Sequence, residues 1–176
     1  MSFQSLKKVN VLLVEDDDLD ITVVRRFFAK YDFQHPLYFA RGGADALALL
    51  QGKIPFASRA AHLIGAVEGG QSLGFETQDF SREQNIRHYP LVILLDITMS
   101  SMDGFEFLET IRSDPSLKHI TIFIFSGSNI EVDVNRAHAY NVAGYFLKPS
   151  PGEGYARFVH FFNEYIFFND FPPAIK

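Results

Sequence analysis

The feature that most constrains the fold is a five-residue apolar segment, Leu91–Leu95, that ends at an acid, Asp96. Branched apolar residues without polar alternation are typical of a strand buried on both faces, as in the middle of a parallel sheet. A turn signal follows, and apolar residues recur at helical spacing from Phe107 to Ile111. The stretch therefore predicts a strand, a loop and a helix. Asp96 stands at the carboxyl end of the strand, where such sheets bind ligands, although by itself it could equally cap a turn.

The same alternation of apolar strand and helical pattern occurs five times along the chain. Strands are predicted over Val9–Val14, Leu37–Ala40, Leu91–Leu95, Ile120–Phe125 and Ala143–Leu147. This alternation indicates an α/β fold with a parallel, doubly wound sheet and helices on both faces. The flavodoxin-like strand order 2-1-3-4-5 and a Rossmann-like order both remain open. The first is favoured because its switch point lies between strands 1 and 3, which are both followed by acids.

Length and composition indicate one domain and exclude several classes of function. The 176 residues suit a single domain over 1–176, with an insertion or long loop at about 53–88 and a short tail at about 168–176. The net charge of −5 gives no basic footprint for nucleic acid, and the lack of Cys excludes disulfides and thiolate catalysis. No signal peptide and no apolar run of roughly 18 residues are present, so we expect a cytoplasmic protein that does not enter a membrane.

Polar side chains follow four of the predicted strands. They are Glu15 with Asp16, Asp96, Ser126 and Lys148. Because the carboxyl ends of neighbouring parallel strands meet at one edge, these groups are expected to converge. Three acids and one ammonium leave negative charge that a hard cation with oxygen ligands, Mg²⁺, would balance. One carboxylate could then act as a nucleophile toward a phosphoryl group, whose oxygens the metal, Ser126 and Lys148 would neutralise.

Four segments resemble the receiver domain of two-component response regulators in order and spacing: LLVEDD at 12–17, LLDITMSSMDG at 94–104, FSGS at 125–128 and GYFLKP at 144–149. The resemblance covers nearly the whole chain except the insertion and the tail. It implies a stand-alone, non-enzymatic signalling protein that accepts a phosphoryl group from a sensor histidine kinase or phosphotransfer protein. Its signal would pass to a downstream protein that the sequence does not name. The layout is also similar to receivers associated with phytochrome-type kinases.

The resemblance implies a role for each matching residue. Asp96 resembles the phosphoacceptor, Glu15 and Asp16 resemble the acid pair that holds Mg²⁺, and Thr98 stands where a backbone carbonyl reaches the metal. Ser126 resembles the switch hydroxyl and Lys148 its lysine partner, in a Lys-Pro step that is cis in the family. The aromatic switch position is Tyr145, for which an ordinary core aromatic is the plainer interpretation.

Two departures from the family pattern are expected to matter. Ser100 replaces a usual Pro, which predicts a change in loop rigidity rather than in chemistry. Thr98 and Ser128 occupy the positions that tune hydrolysis of the phospho-aspartate, and neither is an acid or an amide. The sequence therefore predicts a long-lived phosphorylated state, and Ser128→Glu should shorten it.

The last predicted helix carries a second aromatic face outside its core stripe, made of Phe161, Tyr165 and Phe168. Either the tail covers these rings, or they belong to a surface on the fourth and fifth helices that binds a partner protein or a second copy of the chain. Two other functions stay open. One is a receiver-like module that binds partners without phosphorylation. The other is a Mg²⁺-dependent aspartyl phosphohydrolase, although such enzymes need a second acid where this chain has Thr98.

Overall fold

The computed structural model describes residues 9–55 and 89–173, in which five parallel strands form one sheet. The sheet order is β2-β1-β3-β4-β5, so the predicted flavodoxin-like order is confirmed and the Rossmann-like order is wrong. The strands are β1 (Asn10–Val14), β2 (Leu37–Ala40), β3 (Leu91–Leu95), β4 (Thr121–Ser126) and β5 (Gly144–Leu147).

Helices cover both faces of the sheet. They are α1 (Asp18–Lys30), α2 (Gly43–Leu50), α3 (Gly104–Ser113), α4 (Glu131–Ala139) and α5 (Glu153–Phe168). Side chains of α2, α3 and α4 share one apolar core with one face of the sheet, and those of α1 and α5 share another. Successive strand residues point to opposite faces, so Leu12 enters the first core and Leu13 the second. This is why β3, the middle strand of the sheet, is apolar at every position.

The core between α1, α5 and the sheet is largely aromatic. The stripe predicted for the last helix is buried in full, at Tyr155, Phe158, Val159, Phe162 and Ile166. Ring centroids of Phe125 and Phe158 lie 4.8 Å apart, as do those of Phe27 and Tyr155. The rings of Phe146 and Phe158, with centroids 5.3 Å apart, join β5 to the first half of α5, and Lys148 follows β5 directly.

Helix α4 is the least buried of the five. Among its residues only Ala137 is buried. The helix begins at Glu131, and its N-cap, Ile130, provides no side-chain hydrogen bond to the first turn. The Ser128 hydroxyl donates to Asp133 Oδ2 at 2.8 Å instead. The loop between β4 and α4 is therefore held by side chains rather than by a helix cap.

The loop between β3 and α3 is fixed at its far end by Asp103 and Gly104. Asp103 accepts hydrogen bonds from the backbone N–H groups of Phe105 and Glu106, both at 2.8 Å, in a capping box. A Cβ on Gly104 would lie 2.5 Å from Ile97 Cα and 2.6 Å from the Asp96 carbonyl oxygen. Only glycine permits this approach, which brings the start of α3 against the residue that follows β3.

Two of the predicted segments lie partly outside the described residues. The predicted insertion at 53–88 lies there from residue 56 onward, and the last three residues of the predicted tail do as well. The described part of the tail, residues 169–173, follows the end of α5 without further helix or strand. None of the helices within 9–55 and 89–173 is both long and apolar enough to span a bilayer.

Burial of His35 predicts a pH-dependent stability. His35 is 8% exposed, and burial lowers its pKa from 6.5 to about 4. As the pH falls, His35 is protonated in the unfolded chain before it is protonated in the folded chain. The His35 contribution to the free energy of unfolding therefore falls by about 2 kcal/mol between pH 7 and pH 5. Burial of Glu15 raises its pKa to about 7 and acts in the opposite sense over the same range.

The measurement is therefore a difference between variants, made by urea unfolding at pH 7 and pH 5. His35→Leu should lose less stability than the parent on acidification, by about 2 kcal/mol, because its side chain cannot be protonated. The exposed His119 gives a matched control, and His119→Gln should follow the parent. Equal acid sensitivity in the parent and in His35→Leu would contradict the prediction.

Candidate functional site

The polar groups predicted at the strand ends meet at one edge of the sheet. Glu15 follows β1, Asp96 follows β3, Ser126 ends β4 and Lys148 follows β5. These strands are parallel neighbours in the order β1-β3-β4-β5, so their carboxyl ends lie side by side. The convergence expected from the sequence is therefore present for these four residues.

Asp96 is at the centre of the site and is 4% exposed. Its Oδ1 accepts hydrogen bonds from the Ser126 hydroxyl at 2.6 Å and from the Thr98 backbone N–H at 2.9 Å. Its Oδ2 accepts from Lys148 Nζ at 2.5 Å. Both carboxylate oxygens thus face donors, which is an arrangement that can hold a nucleophilic carboxylate and the oxygens of a group attached to it.

Lys148 joins three carboxylates. Its Nζ donates to Glu15 Oε2 and Asp20 Oδ2, each at 2.6 Å, besides Asp96. The sequence analysis missed Asp20, which enters from the first turn of α1. The sequence did contain evidence for this residue, since Asp20 is one more acid in the run after β1 and α1 begins at this edge of the sheet.

The charges in this group perturb one another. Burial alone would lower the pKa of Lys148, but its hydrogen bonds with Asp20, Asp96 and Glu15 outweigh burial and raise that pKa above its ordinary value. Burial raises the pKa of Glu15 to about 7, against the opposing effect of Lys148. A carboxyl group with a pKa of about 7 is roughly half protonated at pH 7, and an approaching cation would favour its charged form.

Asp16, predicted as a metal ligand, lies apart from this group. Its Oδ2 accepts from the Ser100 backbone N–H at 2.7 Å and from the Ser100 hydroxyl at 2.6 Å. The hydrogen bond from the Ser100 side chain is the main reason that the pKa of Asp16 lies below its usual value. The expectation that Ser100 alters only loop rigidity therefore needs correction, because this serine binds a carboxylate of the site.

Of the two predicted switch residues, Ser126 contacts Asp96 directly and Tyr145 contacts the loop that follows Ser126. The Tyr145 hydroxyl donates to the Ser128 backbone carbonyl at 2.8 Å, and its ring is half-buried against the core. Tyr145 therefore contacts the β4–α4 loop that begins after Ser126. The Lys148–Pro149 peptide is trans, as are the other peptide bonds of the described chain, so the cis form implied by the resemblance is wrong here. The trans form is the favoured isomer of an X-Pro bond, by about 0.5–1 kcal/mol.

The aromatic face predicted on the last helix is only partly exposed. Phe161 and Phe168 are 46% and 75% exposed. Tyr165 is half-buried, with its ring centroid 5.0 Å from that of Phe123 and 6.0 Å from that of Phe171 in the tail. Packing against the tail thus explains why Tyr165 is half-buried. Phe167, which the sequence analysis did not single out, is 53% exposed.

The donor set fits a hard divalent cation. Carboxylate oxygens of Glu15, Asp20 and Asp96 lie within 4.8 Å of one another, and two of these residues are buried. Oxygen-only ligation is what Mg²⁺ prefers in proteins, and the residues present therefore suit it.

Comparisons with known proteins agree with the resemblance found in the sequence. The model of the response regulator receiver domain matches residues 76–157. Response regulator Rcp1 of Synechocystis is 28% identical over 84% of this chain and 82% of its own length. A probable methanogenesis regulatory protein, FilR2 of Methanothrix harundinacea, is 27% identical over 88% of this chain and 81% of its own.

Solved structures give the same fold. The phosphorylated cyanobacterial phytochrome response regulator RcpA aligns with a TM-score of 0.65 and 25% identity, over 96% of this chain and 99% of that one. Response regulator RPA3017, from red light signaling of R. palustris, aligns with a TM-score of 0.67 over 94% of this chain and 99% of that one. At 22% identity, the second likeness supports the fold alone.

Proposed function

We propose that the chain is a response regulator receiver, which accepts a phosphoryl group on Asp96 and signals by binding another protein, and the match of residues 76–157 to the model of that domain supports this. The observation that carries the proposal is the pair of donors on the Asp96 carboxylate. Ser126 Oγ lies 2.6 Å from one oxygen and Lys148 Nζ lies 2.5 Å from the other. These are the groups that a newly attached phosphoryl group would meet.

In the proposed transfer, an Asp96 carboxylate oxygen attacks phosphorus. The bond between phosphorus and a histidine nitrogen of the donor breaks, and its electron pair returns to that nitrogen. Lys148 and Ser126 then turn from the carboxylate to the oxygens of the transferred group, which stabilises the charge that develops there. Tyr145 is well placed to follow this change, because it binds the loop two residues beyond Ser126.

Mg²⁺ is the proposed cofactor. We propose that Glu15, Asp16, Asp96 and the Thr98 carbonyl hold it, as the resemblance implies, and Asp20 adds a further carboxylate at the same place. When bound, Mg²⁺ supplies positive charge that offsets the charge on the phosphoryl oxygens. In the structure the Lys148 ammonium contacts the carboxylates of Glu15, Asp20 and Asp96.

The proposed donor is a sensor histidine kinase or a phosphotransfer protein. Relatives include a phytochrome response regulator at 25% identity, so a phytochrome-type kinase is the first donor to test. A cytoplasmic location is proposed with it, and the absence of Cys agrees with a reducing compartment.

Exposed apolar side chains on α4, β5 and α5 support a proposed contact with a downstream protein or with a second copy of the chain. They are Val132 on α4, Ile130 at its N-cap, Leu147 on β5, and Phe161 and Phe168 on α5. Isolated exposed apolar residues are ordinary, but this set lies on neighbouring elements at one edge of the sheet. Light scattering of the protein with and without phosphodonor would test the homodimer.

The test of the main proposal is intact mass after incubation with Mg²⁺ and acetyl phosphate. We expect one phosphoryl adduct, which a chelator prevents and which hydroxylamine removes, as it does acyl phosphates. No adduct in the presence of Mg²⁺ would favour the phosphorylation-independent binding module. Sustained turnover of a generic phosphate ester would instead favour the phosphohydrolase.

We also expect a slow loss of the phosphoryl group. The Ser128 hydroxyl is held by Asp133 at 2.8 Å, so it is not free to orient water toward Asp96. Ser128→Gln should shorten the lifetime of the adduct severalfold, because its amide reaches further and can bind water. Gln also avoids the like-charge contact with Asp133 that Glu would create. The measurement is the decay of the adduct by mass, with Ser101→Gln as control, and an unchanged lifetime in Ser128→Gln would contradict the expectation.

A further inference from the structure

The contact between Ser100 and Asp16 joins two parts of the chain that are 84 residues apart. Both donors of Ser100, its backbone N–H at 2.7 Å and its hydroxyl at 2.6 Å, meet the same oxygen, Oδ2 of Asp16. Hydrogen bonds to an ionised carboxylate are roughly twice as strong as neutral ones. The loop after β3 is therefore attached to the end of β1 through this one carboxylate.

The contact keeps Asp16 out of the carboxylate group that fits a cation. The oxygens within 4.8 Å of one another belong to Glu15, Asp20 and Asp96, not to Asp16. Yet Asp16 is adjacent to Glu15 and only half-buried, so its side chain is not confined by packing. What holds it at the loop is Ser100.

Release of this contact has a modest cost. Ser100 is exposed, so water can replace the carboxylate at both of its donors. A backbone N–H that loses its partner in a buried place would be costly, but this one is at the surface.

We propose that Ser100 is a positioning residue that competes with Mg²⁺ for Asp16, so that cation binding releases the β3–α3 loop from the end of β1. The inference rests on the proposed function, since it takes Asp16 as a ligand of the ion. In this chain the cation affinity is then set partly by a loop residue that does not touch the ion.

The test is titration with MgCl₂ by calorimetry and by amide NMR, on the whole chain. The variants are Ser100→Ala and its exposed neighbour Ser101→Ala, and Ser100→Ala is also made in an Asp16→Asn background. We expect Ser100→Ala to bind Mg²⁺ about five- to tenfold more tightly, the net effect of losing one hydrogen bond at an exposed position where water partly replaces it. Ser101→Ala should bind like the parent.

The background variant identifies the carboxylate involved. In Asp16→Asn, the Ser100 substitution should no longer change the affinity. In the parent, saturation with Mg²⁺ should shift the Ser100 amide resonance as its hydrogen bond is lost. Equal or weaker binding by Ser100→Ala, or an effect that persists in Asp16→Asn, would overturn the inference. A parent that binds no Mg²⁺ would instead overturn the Mg²⁺-dependent function, and the inference with it.

Discussion

Asp96→Asn is expected to abolish phosphorylation of the protein by acetyl phosphate and Mg²⁺. The amide has the shape of the carboxylate but no charged oxygen, so it cannot attack phosphorus. Its carbonyl can still accept a hydrogen bond from Ser126 or Lys148, and the variant should therefore fold. The measurement is intact mass beside the parent, under conditions in which the parent carries one adduct.

A second aspartate serves as the matched control. Asp114 is at the end of α3, where it accepts hydrogen bonds from Ser116, away from the carboxyl edge of the sheet. Asp114→Asn should keep the adduct at the level of the parent. A full adduct on Asp96→Asn would mean that another residue accepts the phosphoryl group, and the assignment of Asp96 would fail.

Lys148→Met is expected to lower the free energy of unfolding by roughly 3–5 kcal/mol in Mg²⁺-free buffer, since removal of one partner from a buried ion pair has a cost of this size. The Lys148 side chain is 14% exposed, and its ammonium contacts Glu15, Asp20 and Asp96. Methionine keeps an unbranched apolar side chain of similar length but leaves these carboxylates facing one another without a cation. Urea unfolding at constant pH gives the measurement.

Addition of Mg²⁺ should restore part of the stability that Lys148→Met loses. An ion that binds only the folded state adds about 2.7 kcal/mol at a concentration one hundred times its Kd. The same substitution at an exposed lysine, Lys118→Met, should change stability little and should not alter the response to Mg²⁺. If Lys148→Met and the parent had the same midpoint of urea unfolding, the ammonium would not stabilise this cluster of carboxylates.

Asp96→Asn and Lys148→Met should also show coupled effects on stability. Residues in direct contact do not contribute additively, and here Asp96 is one of the charges that Lys148 neutralises. The double variant should lose less stability than the sum of the two single losses, because one fewer carboxylate is left without a cation. A strictly additive double variant would indicate that the two side chains do not interact in solution.

The fold class and the strand-end part of the site could be predicted from the sequence. Apolar runs such as Leu91–Leu95 fix strands that are buried on both faces, and the alternation with helices leaves few topologies open. Since parallel strands end at one edge, Glu15, Asp96, Ser126 and Lys148 could be placed together without coordinates. Their roles beyond this placement remain proposals.

The tertiary structure alone decided which partner each of these side chains takes. Lys148 meets Asp20 across 128 residues and Asp16 meets Ser100 across 84, and no local pattern encodes such distances. It also decided that the tail residue Phe171 covers Tyr165, while Phe161 stays exposed. Periodicity in a sequence fixes the direction in which a side chain leaves its own element, whereas the group that it meets depends on how separate elements pack.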